Sequence, residues 1–174
     1  LSSARLVALA RLVGRAAGRC SVRVVALKHV ALCLSGVSDA AARGAADADV
    51  LVADADAPRL VLELGRDRVL GTRAPAYDHQ HSPLVHPRGG MLELHRTLPG
   101  VRPSHGAPEL RLERLVALGF AECPDAAAPC LLVPRPHVLL AHALAHGLYQ
   151  HGLAPGAYPA FKLLADAADL RRSA

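Results

Sequence analysis

Residues 45–56 read AADADVLVADAD, in which Asp47, Asp49, Asp54 and Asp56 flank the apolar run Val50, Leu51, Val52. The valine content and the alternation predict a strand over DADVLV. Successive side chains of a strand point to opposite faces, so Asp47 and Asp49 share one face while Ala48, Val50 and Val52 share the other. The two carboxylates then stand about 7 Å apart along the backbone, and their oxygens can approach to about 5 Å. Two charges at that separation repel by roughly 3 kcal/mol at an effective dielectric of 20, and by under ~1 kcal/mol in bulk water. A half-buried pair of this kind wants a cation or a proton. On spacing alone two readings stand: a metal-holding face, or the solvated entrance of a strand, since charged residues usually end on the surface.

A second stretch offers the same geometry. PLVHPRGGMLELHR predicts a hairpin, with Leu84 to His86 as one strand, PRGG as the turn and Met91 to Arg96 as the next. Leu92 and Leu94 face a core, and Met91, Glu93 and His95 face the other way. If this strand lies beside DADVLV with matching faces, Asp47, Asp49 and Glu93 converge into an oxygen-rich site suited to Mg²⁺. Three carboxylates on adjacent strands can hold two ions that clamp the attacking and leaving oxygens of a phosphoryl transfer.

The remaining segments fit around these two strands. Leu6, Leu9, Val13 and Ala16 recur at helical spacing, with Arg11, Arg15 and Arg19 on another side, so the chain opens with an amphipathic helix. Ser21 to Leu27 reads as a strand and His29 to Leu34 as a short helix. Asp56 is placed to cap a helix with Pro58 in its first turn and Leu60, Val61 and Leu64 on its buried side. A helix is expected from Glu109 to Leu118, a short strand from Cys130 to Val133, and two closing helices, roughly His137 to His151 and Pro159 to Arg171. Strands interleaved with helices and then a helical tail predict an α/β or α+β fold, with a core domain over 1–133 and a helical extension over 134–174 packed on it.

The 174 residues can bury a real core, and with only two Phe, three Tyr and no Trp that core is aliphatic. No apolar run approaches the ~20 residues of a membrane span, so a soluble, cytoplasmic protein with no membrane partner is expected. Opening on Leu1 in place of Met is consistent with a fragment or an unusual start. The net charge of +5 is unevenly spread: Arg5, Arg11, Arg15, Arg19, Arg23 and Lys28 precede the first acid, Asp39. A nucleic-acid reader would bring a denser basic patch and a recognition module, so nucleic acid is not the expected partner. Cys20, Cys33, Cys123 and Cys130 show no metal-ligand spacing and are expected to be buried thiols. His142 and His146 share a helix face at i, i+4, yet HALAH lacks the glutamate of a zinc protease, and packing or lining a cleft is the expected role. Tyr77, Asp78, His79, His81 and His86 form a further polar cluster, read as loop or as the border of an acceptor site.

Taken together, VVALKHVALCL, ARGAADADVLV, MLELHRTL, VPRPHVLLAHALAH and FKLLADAADL resemble a little-characterised bacterial nucleotidyltransferase family of the polymerase-beta superfamily. The resemblance runs from about Ala8 to Leu170. It implies the polymerase-beta-like fold and Mg²⁺-dependent transfer of a nucleoside monophosphate from an NTP to an acceptor it does not identify. Residue by residue, Asp47 and Asp49 match the metal-binding pair and Glu93 the third carboxylate. Lys28 matches the family lysine after the first strand, Arg43 the arginine before the acidic strand, and His95 the histidine of Glu-Leu-His; these, with His29, are the expected nucleotide contacts. His29 stands where the family has glycine, whose backbone could approach a phosphate closely. That departure motivates a second reading, a catalytically silent member that binds a nucleotide or a partner protein.

Overall fold

The computed structural model describes residues 2–39, 45–72, 78–98, 109–146 and 166–171. The first helix, α1 (Ser3–Arg19), buries Leu6, Leu9, Val13 and Ala16, the stripe expected from their spacing. Its arginines face outward, and Arg19 ties the helix to its neighbour by pairing with Glu63 and Asp67. The chain continues through β1 (Val24–Ala26), α2 (Lys28–Leu34) and β2 (Asp47–Val52). After α3 (Ala57–Arg66) come β3 (Leu70–Gly71), β4 (Leu84–Val85) and β5 (Met91–His95). Then follow α4 (Leu112–Ala117), β6 (Ala121–Glu122), β7 (Leu131–Pro134) and α5 (Pro136–Ala145). Residues 166–171 are helical.

The strands form one seven-stranded mixed sheet in the order β3-β4-β5-β2-β1-β7-β6. β2 lies at its centre, antiparallel to β1 and parallel to β5. The β4–β5 hairpin forms as its PRGG turn requires, with Gly89 and Gly90 both at positive φ. Alternation along the central strands builds two cores. Val24, Ala26, Ala48, Val50, Val52, Leu92, Leu94, Leu131 and Val133 join the buried faces of α1 and α3. Val25, Leu51 and Leu132 join Leu112 and Leu115 of α4 on the opposite face. Leu139 of α5 and Leu170 pack on the larger core.

Close packing of α1 on the sheet depends on one glycine. A Cβ on Gly14 would lie 2.8 Å from Cβ of Leu131, so the helix reaches the sheet there only without a side chain.

Several local expectations are corrected. Asp56 occupies the N-cap position of α3 but makes no capping hydrogen bond; its carboxylate accepts from Arg59 instead, at 2.7 Å. The strand expected over Ser21 to Leu27 is confined to Val24–Ala26, and the helix expected from Glu109 starts at Leu112. Among the thiols, Cys20, Cys33 and Cys130 are half-buried, but Cys123 is exposed, its Sγ 3.1 Å from the Asp125 carbonyl. The two-residue strands β3 and β6 went unread because elements that short carry no periodicity. Tyr77, His151 and the start of the last helix lie outside the described residues.

Candidate active site

The parallel pairing of β2 with β5 sets Asp49 opposite Glu93 and Leu51 opposite His95. Side chains two apart share a face, so Asp47, Asp49, Glu93 and His95 all project from the side of the sheet that carries Leu51. One ligand atom from each of Asp49, Glu93 and His95 lies within 4.8 Å of the other two, a grouping found nowhere else among the described residues.

Asp49 is the hub, only 3% exposed. Its Oδ1 accepts from Nζ of Lys28 at 2.7 Å and from Nε2 of His95 at 2.8 Å. The acceptor-only carboxylate requires the His95 proton on Nε2, which also lies 3.6 Å from Glu93 Oε2. Burial would raise the Asp49 pKa, but the His95 hydrogen bond and the Lys28 and His95 charges override it and hold the group far below the usual carboxylate range. Burial likewise opposes the charge on Lys28 and on His95. Asp49 outweighs it in both, aided at His95 by Glu93, and both pKa values end up raised. Asp47 is half-buried; desolvation and then the charge of Asp49 push its pKa up, with Lys28 opposing.

Local backbone fixes this arrangement. The Leu27 N–H donates to the Asp49 carbonyl at 2.9 Å, holding the end of β1 against β2. Lys28 follows at φ 50°, a left-handed conformation that turns the chain from β1 into α2. His29, the residue in the family's glycine position, points elsewhere. Its ring is buried against α1, with Nε2 2.6 Å from the Ser3 hydroxyl and 3.6 Å from Sγ of Cys33. Its side chain therefore does not enter the carboxylate cluster. Arg43 lies outside the described residues.

Two features of the site were not anticipated. His79 stacks on His95, ring centroids 5.8 Å apart and planes within 13°. Asp54, just past the end of β2, sits among basic side chains: the His81 ring at 3.5 Å and the guanidinium groups of Arg96 at 3.7 Å and Arg111 at 3.4 Å. The Glu-Leu-His alternation already placed His95 on the Glu93 face. The stacking of His79 depends on the loop before the hairpin and left no periodic signal. His142 of α5 and His146 at its C-terminal cap are both buried, ring centroids 6.0 Å apart, and stay outside the three-ligand group.

The seven-stranded mixed sheet and its flanking helices have the fold of a nucleotidyltransferase. The solution structure of the antibiotic-resistance factor ANT(2'')-Ia superimposes with a TM-score of 0.63, covering 99% of this chain and 85% of that one at 12% identity, a likeness of fold. The chain belongs to the family described as uncharacterised nucleotidyltransferases, whose model matches residues 3–174, and it is a transferase of nucleotidyl groups. Comparison with the curated proteins gives no match. No helix among the described residues is long and apolar enough to cross a membrane.

Proposed function

We propose that the chain moves a nucleoside monophosphate from an NTP to an acceptor with Mg²⁺ held by Asp47, Asp49 and Glu93. The observation that carries this reading is the register of Asp49 with Glu93 on neighbouring parallel strands, which gathers two carboxylates and an imidazole within 4.8 Å. The donor set fits the ion. Mg²⁺ takes carboxylate oxygens, waters and substrate phosphates, so the three carboxylates would hold it, and His95 serves as the hydrogen-bond donor that orients Asp49. Bound there, the ion would neutralise charge developing on the phosphoryl oxygens.

The chain's own groups supply the rest. Lys28 is a compact charge on a flexible stem, placed to exchange Asp49 for triphosphate oxygens, and Arg43 adds a second cation in this reading. An acceptor oxygen or nitrogen attacks the α-phosphorus. That bond forms as the bond to the pyrophosphate oxygen breaks, pyrophosphate leaves, and the acceptor's proton passes to a nearby base or to water. The catalytically silent reading is motivated by a side chain standing at position 29; the engagement of the His29 ring with Ser3 supports the active reading over it.

Incubation with α-labelled NTPs and Mg²⁺, scoring label transfer to a cell extract of small molecules and proteins, tests the proposal against an Asp49→Asn control. Failure of all four NTPs to bind, with no thermal stabilisation by Mg²⁺, defeats it.

A further inference from the structure

We propose that His142 is a positioning residue for Lys28, acting through one water molecule held between α2, α5 and the helical segment 166–171. The inference rests on the reading that Lys28 meets the triphosphate.

A cavity of about 20 Å³ lies between these elements, lined by Lys28, His142, His146 and Asp166 with Leu32 and Leu139. A water needs roughly 10–15 Å³ of such space and two to four polar partners. Both conditions are met: the space admits a water, and Lys28, His142, His146 and Asp166 bring polar atoms to its wall. His142 is 1% exposed, and its Nε2 makes no hydrogen bond to the described residues. A buried imidazole nitrogen left in that state carries an uncompensated desolvation cost, which a bridging water offsets. The Lys28 ammonium has three protons to donate, and Asp49 takes one.

His142 suits this place because it stays neutral. Burial first, then His146 and Lys28, depress its pKa to about 3, so it offers Lys28 a lone pair without adding a second cation. Lys28 is then held from two sides, by Asp49 and by the water on His142. The hold from His142 persists when Asp49 turns to another cation, keeping the ammonium where phosphate oxygens would arrive.

The test compares His142→Leu, which fills the space but accepts nothing, with His142→Gln, which restores a polar acceptor, and with Lys28→Met. Affinities for Mg·ATP and Mg·GTP are set against those for AMP and GMP, alongside the thermal midpoint. Expected is a loss of about tenfold in triphosphate affinity for His142→Leu, with monophosphate affinity and thermal midpoint preserved, and substantial recovery in His142→Gln. Unchanged triphosphate binding in His142→Leu, while Lys28→Met weakens it, overturns the inference and leaves the functional reading standing. Parallel loss of triphosphate affinity, monophosphate affinity and thermal midpoint in His142→Leu assigns the residue to structure and also overturns it. If the unmodified chain binds no NTP, or Lys28→Met binds as tightly as the parent, the underlying reading fails and the inference falls with it.

Discussion

Asp49 and Glu93 stand directly opposite one another on parallel strands, and Asp49 is held by two donors of its own chain, the Lys28 ammonium and the His95 ring. The carboxylate is therefore engaged before any metal arrives, and a divalent ion bound there would compete with an ammonium and an imidazole N–H. Asp49→Asn should lower transfer by at least about 10²-fold, since it removes both the shared ligand and the anchor of Lys28. In the parent, Mg²⁺ or Mn²⁺ at 100 times its dissociation constant should add about 2.7 kcal/mol of stability, and the variant should lose that gain. Denaturant melts with and without the ion measure both; equal stabilisation of parent and variant would place the metal elsewhere.

Restoring the family's glycine at position 29 should not improve the enzyme. His29→Gly removes a buried ring and its contact with Ser3 and puts glycine inside a short helix. The expected cost is about 2–4 kcal/mol, of which roughly 1 kcal/mol is helix propensity. NTP affinity of the folded variant should stay within about twofold of the parent. A gain of tenfold would show that the ring does obstruct the nucleotide.

Gly14→Ala offers a sharper test of packing. Helix propensity alone predicts a gain of about 1 kcal/mol in the middle of α1. The contact with Leu131 reverses the sign, because the new Cβ needs 2.8 Å where real Cβ atoms keep well over 3 Å, and backbone would have to move. A net loss of about 1–3 kcal/mol is expected, read from urea midpoints. A more stable Gly14→Ala would mean that α1 sits farther from β7.

Acid should unfold the chain early. Unfolded, His142 takes a proton near its ordinary value of 6.5; folded, it resists to about 3. Between those limits the unfolded state binds more protons, so stability falls as pH drops, by about 1.4 kcal/mol for each unit the two values differ and up to several in all. Asp49 adds to this only lower down. Its contribution is complete above its unfolded value of 3.8 and is lost as pH falls through its still lower folded value. Urea midpoints at about pH 7, 5 and 4 should decline steadily in the parent and more gently in His142→Leu; equal slopes would remove His142 as the source.

The fold was legible where periodicity is strong. DADVLV and MLELHR alternate cleanly, so their core and site faces were predictable, and the pairing of the two strands gave those faces a common side. Helix α1 was readable from its leucine and valine spacing. What escaped was set by contacts distant in sequence. Nothing within DADVLV says that Lys28 bonds Asp49, or that Asp54 is ringed by Arg96 and Arg111. The His29 position invited a steric argument, yet the direction of its ring is set by Ser3, 26 residues away. Asp56 looked like a cap because its type suits one, and Arg59, one turn on, took the carboxylate instead.

Lys28 holds a backbone conformation, φ 50°, that costs an L-residue about 1–2 kcal/mol and costs glycine almost nothing. A chain shaped for stability alone would carry glycine at this bend, or asparagine, the side chain that best tolerates it. On the proposed function, position 28 is thus a point where thermostability and chemistry pull in opposite directions. Any engineering that hardens this protein by relaxing backbone strain would act first on the residue whose ammonium the site depends on.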